Sequence, residues 1–164
     1  MTVNIRLAKP DDADQLWQLI CDLARFQGHP GAVRVTADVL KEQMESPEPP
    51  FQCLVAEVDF DLIGFALFFH NYSTWEGKQG IYLEDFYVNE AWRGAGVGKM
   101  LLAALADLAL KRGCARLDWS VLSTNETALR FYERVGGVVL PDWTSWRLDR
   151  LAMSALSLSG KADR

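Results

Sequence analysis

Apolar and polar positions alternate over Val3-Asn4-Ile5-Arg6-Leu7, the period-two pattern of a half-buried strand. After Pro10 and Asp11 the period changes. Leu16, Leu19, Ile20, Leu23 and Phe26 recur at helical spacing, Asp11 is placed to cap that helix, and Gly28, Pro30 and Gly31 end it. Thr36 is placed to cap a shorter helix through Val39, Leu40 and Met44, and the proline cluster Ser46-Pro47-Glu48-Pro49-Pro50 stops it. Residues 51–58 and 62–70 read as strands joined through Asp59-Phe60-Asp61, an antiparallel hairpin. Residues 71–79 read as a polar loop holding Trp75, and the aromatic-rich residues 81–88 as a further strand.

The longest apolar helix is predicted over residues 96–112, with Lys111 and Arg112 in its last turn and Gly113 where a C-terminal cap belongs. A strand over 115–122 follows, so this strand–helix–strand unit predicts one parallel pair. Asn125 caps a short helix through Ala128, Leu129, Phe131, Tyr132 and Val135, closed by Gly136-Gly137. Residues 138–140 and 145–148 read as a closing strand pair about Pro141-Asp142, and the small, polar residues 157–164 as a frayed tail. The expected fold is α/β, a mixed, mostly antiparallel sheet with one parallel crossover, flanked by helices. It forms one domain over residues 1–156.

Composition changes this picture little. The 164 residues are 49% apolar and 24% charged, as in an ordinary globular domain. A net charge of −5 argues against broad nucleic-acid or anionic-membrane binding. Cys21, Cys53 and Cys114 are odd in number, far apart and set among apolar residues, which suggests core thiols in a reducing, cytoplasmic setting. Arg6, Lys9 and Asp11 interrupt any leader-like apolar run, and no stretch approaches the ~18 apolar residues of a membrane span.

The candidate chemistry gathers in Ile81–Lys99, IYLEDFYVNEAWRGAGVGK. A strand leading through glycines into a helix N-terminus is suited to holding an anion. Walker A spacing is absent, because Arg93 stands five before Gly98 and Met100 follows Lys99. Glycines at 94, 96 and 98 do not fit the dinucleotide fingerprint either. The same turn also suits close packing of a helix on a strand. Upstream lie two adjacent carboxylates. Strict alternation puts Glu84 on one face with Tyr82, Phe86 and Val88, and Asp85 on the other with Ile81, Leu83 and Tyr87. A carboxylate among apolar neighbours needs a polar cleft or a partner, and its desolvation favours general-base work. A structural ion pair or a bulge is the bland alternative. Tyr132, by spacing alone, reads as the core face of its helix. His29 and His70 stand apart, and no histidine–carboxylate spacing suggests a metal site.

Taken together, Arg93-Gly94-Ala95-Gly96-Val97-Gly98 after an aromatic strand, followed by Asn125 and Phe131-Tyr132, resembles the GNAT superfamily of acetyl-CoA-dependent N-acetyltransferases. Tyr82-Leu83-Glu84-Asp85-Phe86-Tyr87-Val88, Cys53-Leu54-Val55-Ala56-Glu57 and Gly77-Lys78 look like its diamine (spermidine/spermine) branch, and Tyr72-Ser73-Thr74-Trp75 like thialysine acetyltransferases. The resemblance implies that Phe86, Tyr87 and Val88 offer backbone groups to the pantetheine arm of acetyl-CoA. It gives the pyrophosphate to Arg93, Gly94, Ala95, Gly96, Val97, Gly98 and Lys99, and further cofactor contacts to Asn125, Ala128 and Tyr132. Tyr132 would protonate the leaving thiolate and Glu84 would take the amine proton. Glu84, Asp85, Trp75, Phe26 and Trp146 would line the amine side. A homodimer is also implied.

Against that branch, Gln27 and Thr144 stand where acids are expected, and Ser73 replaces an aspartate of the polyamine members. Leu122-Ser123-Thr124-Asn125 replaces an acid-Trp-Asn run. The acceptor expected is the primary amine of a small diamine or polyamine, or of a lysine-like amino acid such as thialysine, acetylated by direct transfer. Rival readings are an acetyltransferase for protein lysines or N-termini, and a non-catalytic acetyl-CoA-binding module.

Overall fold

The computed structural model describes residues 2–162, which form two compact units that meet in sequence between Leu122 and Ser123. The first unit is built on a five-stranded sheet in sequence order, β1 (Asn4–Leu7), β2 (Gln52–Val58), β3 (Asp61–Ser73), β4 (Lys78–Val88) and β5 (Leu117–Trp119). The first three pairings are antiparallel and β4–β5 is parallel, as the order of predicted elements requires. The helices α1 (Ala13–Phe26) and α3 (Val97–Lys111) pack on this sheet, and α2 (Ala37–Glu45) packs against α1.

Register shows which side chains share each face. Paired residues point to the same side, so Phe65, Leu67, Cys53, Val55 and Tyr87 share one face. Against them lie Leu16, Leu19, Ile20 and Leu23 of α1 and Leu40 of α2, in a continuous buried cluster. These α1 residues are the helical stripe legible in the sequence. The opposite face presents Ala66, Phe68, Ile81 and Leu83, all buried, to the side on which Leu101 and Leu105 of α3 are fully buried. Gly64 is needed there: a Cβ would come within 2.9 Å of the Tyr87 carbonyl and 3.3 Å of Leu101.

Several expectations change. Asp11 does not cap α1. A 3₁₀ turn over Pro10–Asp12 precedes the helix, and the buried Asp12 accepts from the Lys9 N–H at 2.6 Å and from Arg6 at 2.7 Å and 2.9 Å. Thr36 does cap α2, accepting from the Val39 N–H at 3.2 Å. The Asp59-Phe60 turn takes left-handed conformations at both residues, and Gln15 braces it, accepting from the Leu62 N–H and donating to the Phe60 carbonyl. The expected loop over residues 71–79 is mostly ladder: Asn71, Tyr72 and Ser73 pair with Gly80, Gln79 and Lys78, leaving only residues 74–77 as a turn. The polar side chains there sit on a ribbon running past the end of β2, where solvation does not oppose pairing. β5 keeps only three residues of the expected 115–122 strand.

The second unit contains α4 (Glu126–Arg134) and α5 (Arg150–Ala162). Asn125 caps α4 as predicted, its side chain accepting from the Ala128 N–H at 3.1 Å. The closing strands at 138–140 and 145–148 are absent: their β-prone residues find no ladder partner and remain outside any sheet. The expected frayed tail is helical as far as Ala162, while residues 163 and 164 lie outside the described residues. Asp149 explains the start of this helix, accepting from the Ala152 N–H at 2.8 Å, and Leu151, Ala152, Met153, Ala155 and Leu156 are strong helix formers.

Candidate active site

The site begins with an irregularity in β4. Leu83 pairs with Phe68 and Asp85 with Leu67, so Glu84 has no partner and forms a one-residue bulge. A bulge resets alternation. Ile81 and Leu83 share a face with Phe86 and Val88, while Asp85 joins Tyr87 and Tyr82 on the α1 side. The strict alternation that placed Glu84 with Phe86 and Val88, and Asp85 with Leu83, therefore fails at this point. The signal was present in the sequence: the apolar phase moves from odd positions (81, 83) to even ones (86, 88) across the two carboxylates.

The bulge also ends the parallel pairing. β5 pairs with Ile81, Tyr82 and Leu83 and no further. From Glu84 to Val88, among the described residues, β4 therefore has no β5 partner, the Val88 carbonyl accepting instead from Arg93, and an edge of this kind suits an extended ligand, as in strand addition. Phe86, Tyr87 and Val88, expected to offer backbone groups, lie on this stretch of β4 beyond its last β5 pair.

The two carboxylates differ. Glu84 is exposed, whereas Asp85 is half-buried beside Tyr87 and Leu67. Desolvation, and secondarily the neighbouring Glu84 charge, push the Asp85 carboxyl up to about 6. Among the described residues neither carboxylate takes part in an ion pair. On the same face Cys53 is buried, and burial pushes its thiol up, consistent with a packing role.

Downstream, Asn89 caps a 3₁₀ turn over Glu90–Trp92 through the Ala91 N–H, and the chain enters the glycine turn. Gly94 and Gly96 have φ of 81° and 83°, where a side chain is strained, and no atom lies within 4 Å of a Cβ built on either. Gly96 is the N-cap of α3, so Val97, Gly98 and Lys99 occupy its first turn, whose N–H groups have no carbonyl one turn back. Open space, left-handed glycines and unpaired N–H groups at a helix N-terminus fit a diphosphate group. Arg93 differs from the rest of the turn. Its N–H donates to the Glu90 carbonyl at 3.2 Å, its Nε donates to the Val88 carbonyl at 3.0 Å, and its guanidinium lies over the Phe26 ring.

The first unit thus brings together Glu84, Asp85, Phe86, Tyr87, Val88, Phe26 and the turn from Arg93 to Lys99. Trp75 stands apart, in the turn closing the β3–β4 ribbon, about 20 Å of strand away from Glu84. Ser73, buried, accepts from the Glu76 N–H at 3.3 Å, so its hydroxyl holds that turn. In the second unit, Tyr132 lies on α4 with its ring 5.3 Å from that of Phe131, and burial pushes its phenol up to about 12. Asn125 and Ala128 form the cap of the same helix, and Trp146 is exposed in the segment before α5. Among the described residues no cluster of histidine, cysteine and carboxylate suits a metal ion. No helix there is long and apolar enough to cross a membrane.

This combination of a β4 strand that parts from β5 midway, an anion-ready helix start and a parallel crossover is that of an acyl-CoA transferase fold. Residues 13–137 match the Acetyltransferase (GNAT) family. The chain belongs to this family and is an acetyl-CoA-dependent N-acetyltransferase. It is 33% identical over 168 residues to the thialysine N-epsilon-acetyltransferase of Bos taurus, covering 97% of this chain and 98% of that protein. It is 32% identical over 154 residues to the human spermidine/spermine N(1)-acetyltransferase-like protein 1, covering 90% of this chain and 22% of that protein. A solved integron cassette protein from the mobile metagenome of V. cholerae matches with a TM-score of 0.81 at 24% identity, covering 96% of this chain and 98% of that one.

Asp85 gives the site a pH signature in stability. Its folded-state pKa stands above the ordinary 3.8, so the folded state binds the extra proton and Asp85's contribution to stability falls as pH rises from about 4 to 6. Asp85→Asn removes this dependence. In urea titrations the variant should gain on wild type over that window, by on the order of 2 kcal/mol at pH 7. Asp12, held low by Arg6, has the opposite slope and is common to both proteins. Equal stability of the two proteins at pH 4 and at pH 7 would contradict the assignment.

Proposed function

We propose that the acceptor is the primary amine of a lysine-like amino acid or a small diamine, and that the acetyl group passes to it directly from acetyl-CoA. The observation that carries this reading is the pair of carboxylates at the bulge, without an ion-pair partner among the described residues, beside the strand edge that loses β5. A protonated amine supplies the missing cation. The full-length likeness to a thialysine acetyltransferase supports the lysine-like class. Ser73 and Gln27, in place of acids, leave a long polycation less anchoring charge.

In this reading the open β4 edge and the 94–99 turn hold the donor, with the turn on its diphosphate. An alkylamine of pKa ~10.4 is almost wholly protonated at neutral pH and must lose a proton to attack. Glu84 and Asp85 hold the ammonium and receive that proton, directly or through water. The amine lone pair attacks the thioester carbonyl carbon. The carbon–sulfur bond then breaks, and Tyr132, whose phenol burial keeps protonated, gives the thiolate its proton. The net products are the acetamide, free CoA thiol and one released proton. Three free cysteines support a reducing, cytoplasmic setting.

The chemistry is tested by thiol release with thialysine, lysine, ornithine, spermidine, aminoglycosides and lysine peptides. The expected result is turnover with the small amino acids and diamines. Tyr132→Phe should lower kcat by about 10²-fold with the Kd for CoA unchanged, and Asp85→Asn should raise the amine KM by about tenfold or more. Turnover confined to peptides would favour the protein-lysine reading, and unchanged kinetics in both variants would remove the assigned roles.

We further infer a homodimer. None of residues 123–160 is fully buried, and Val138, Leu140, Trp146, Leu151 and Leu158 are exposed, which is apolar surface suited to a second copy. Sedimentation should give twice the 18.4 kDa chain mass, and a monomer at micromolar concentration would refute the inference.

A further inference from the structure

Arg93 opens the glycine motif, yet its side chain turns toward the acceptor side. The guanidinium carbon lies 4.4 Å from the Phe26 ring centroid and 5.3 Å from that of Tyr87, and Nε donates to the Val88 carbonyl at 3.0 Å. The two rings are themselves 6.4 Å apart and tilted by 56°. One planar cation thus joins three pieces of chain: the last residue of α1, the end of β4, and the first residue of the glycine turn. Stacking on ring faces with a directed N–H bond is arginine chemistry, which a lysine ammonium does not reproduce.

The location gives the arrangement a consequence. Tyr87 and Asp85 are alternate residues on one side of β4, about 7 Å apart along the strand, on the face that α1 covers. Phe26 is half exposed and ends α1, where Gln27, Gly28 and His29 close the helix with bonds to Leu23, Arg25 and Ala24. Whatever fixes Phe26 against Tyr87 fixes the helix end beside the Asp85 carboxylate.

We propose that Arg93 is a positioning residue for the acceptor: its guanidinium latches the end of α1 to the end of β4, and its side chain sets the amine entrance instead of binding the cofactor's diphosphate. The latch rests on the acetyl-transfer reading for its kinetic consequence and on geometry alone for its structural one.

Two measurements test it. The first compares acetyl-CoA with acetyl-pantetheine, a donor that has the thioester but no diphosphate. In Arg93→Gln and Phe26→Leu the amine KM should rise about threefold to tenfold, by the same factor with both donors, and kcat should change less. A loss seen with acetyl-CoA and absent with acetyl-pantetheine would assign Arg93 to the diphosphate and overturn the proposal. The second measurement, amide hydrogen exchange, needs no turnover. The Gln27, Gly28 and His29 amides should exchange about threefold faster in either variant, and no faster in the double variant. Unchanged exchange in Arg93→Gln, or additive effects in the double variant, would overturn the latch. Wild-type protein silent toward every amine would count against the acetyl-transfer reading, while exchange still decides the latch.

Discussion

One extra residue in β4 sets the geometry of the candidate site. At Glu84 the ladder to β3 slips by one, and at the same place the ladder to β5 stops. A strand held on both sides has no free backbone groups to offer. Past Leu83 this one has no β5 partner among the described residues, and the same slip puts Asp85 on the α1 face, opposite to Leu83. The proposed donor edge and the proposed acceptor carboxylates are thus two outcomes of a single backbone irregularity. This explains why they occupy consecutive residues.

The structure around the bulge keeps it in place. Phe65 and Leu67 opposite it are buried under α1 and α2, and Phe68 and Leu83 are buried on the other face. Gly64, pressed against the Tyr87 carbonyl and Leu101, brings α3 close to the end of β4. The N-terminus of α3, with its unpaired N–H groups and two left-handed glycines, is therefore carried on the same packed body as the open edge. Desolvation of Asp85 is a cost of this packing. A bound ammonium would offset it, coupling acceptor binding to a charge that the folded protein otherwise disfavours.

Much of this was legible in the sequence because it rests on local chemistry. The α1 stripe from Leu16 to Phe26, the caps at Thr36 and Asn125, the α3 run after Gly96 and the parallel crossover follow from periodicity and capping. The glycine turn was legible because few residues other than glycine tolerate φ near 80°. What was missed depends on distant partners. Residues 71–73 form strand only because residues 78–80 pair with them, and residues 138–140 and 145–148 have strand-like composition but no ladder partner. Asp85 parted from Ile81 and Leu83, and Glu84 became the unpaired residue, because a bulge was read as strict alternation, although the shift of apolar phase around them marked it. Neither the stacking of Arg93 on Phe26, 67 positions apart, nor the Asp12 clasp on Arg6 has a local signal.

The central claim is that the β4 edge beyond the bulge is a binding edge. Its most direct measurement is residue-resolved amide hydrogen exchange with and without CoA. The β5-facing amides of residues 84–88 and the amides of Val97, Gly98 and Lys99 should become protected together on binding, while those of β2 should not change. CoA binding that leaves the 84–88 amides exchanging at their free rate would contradict the account.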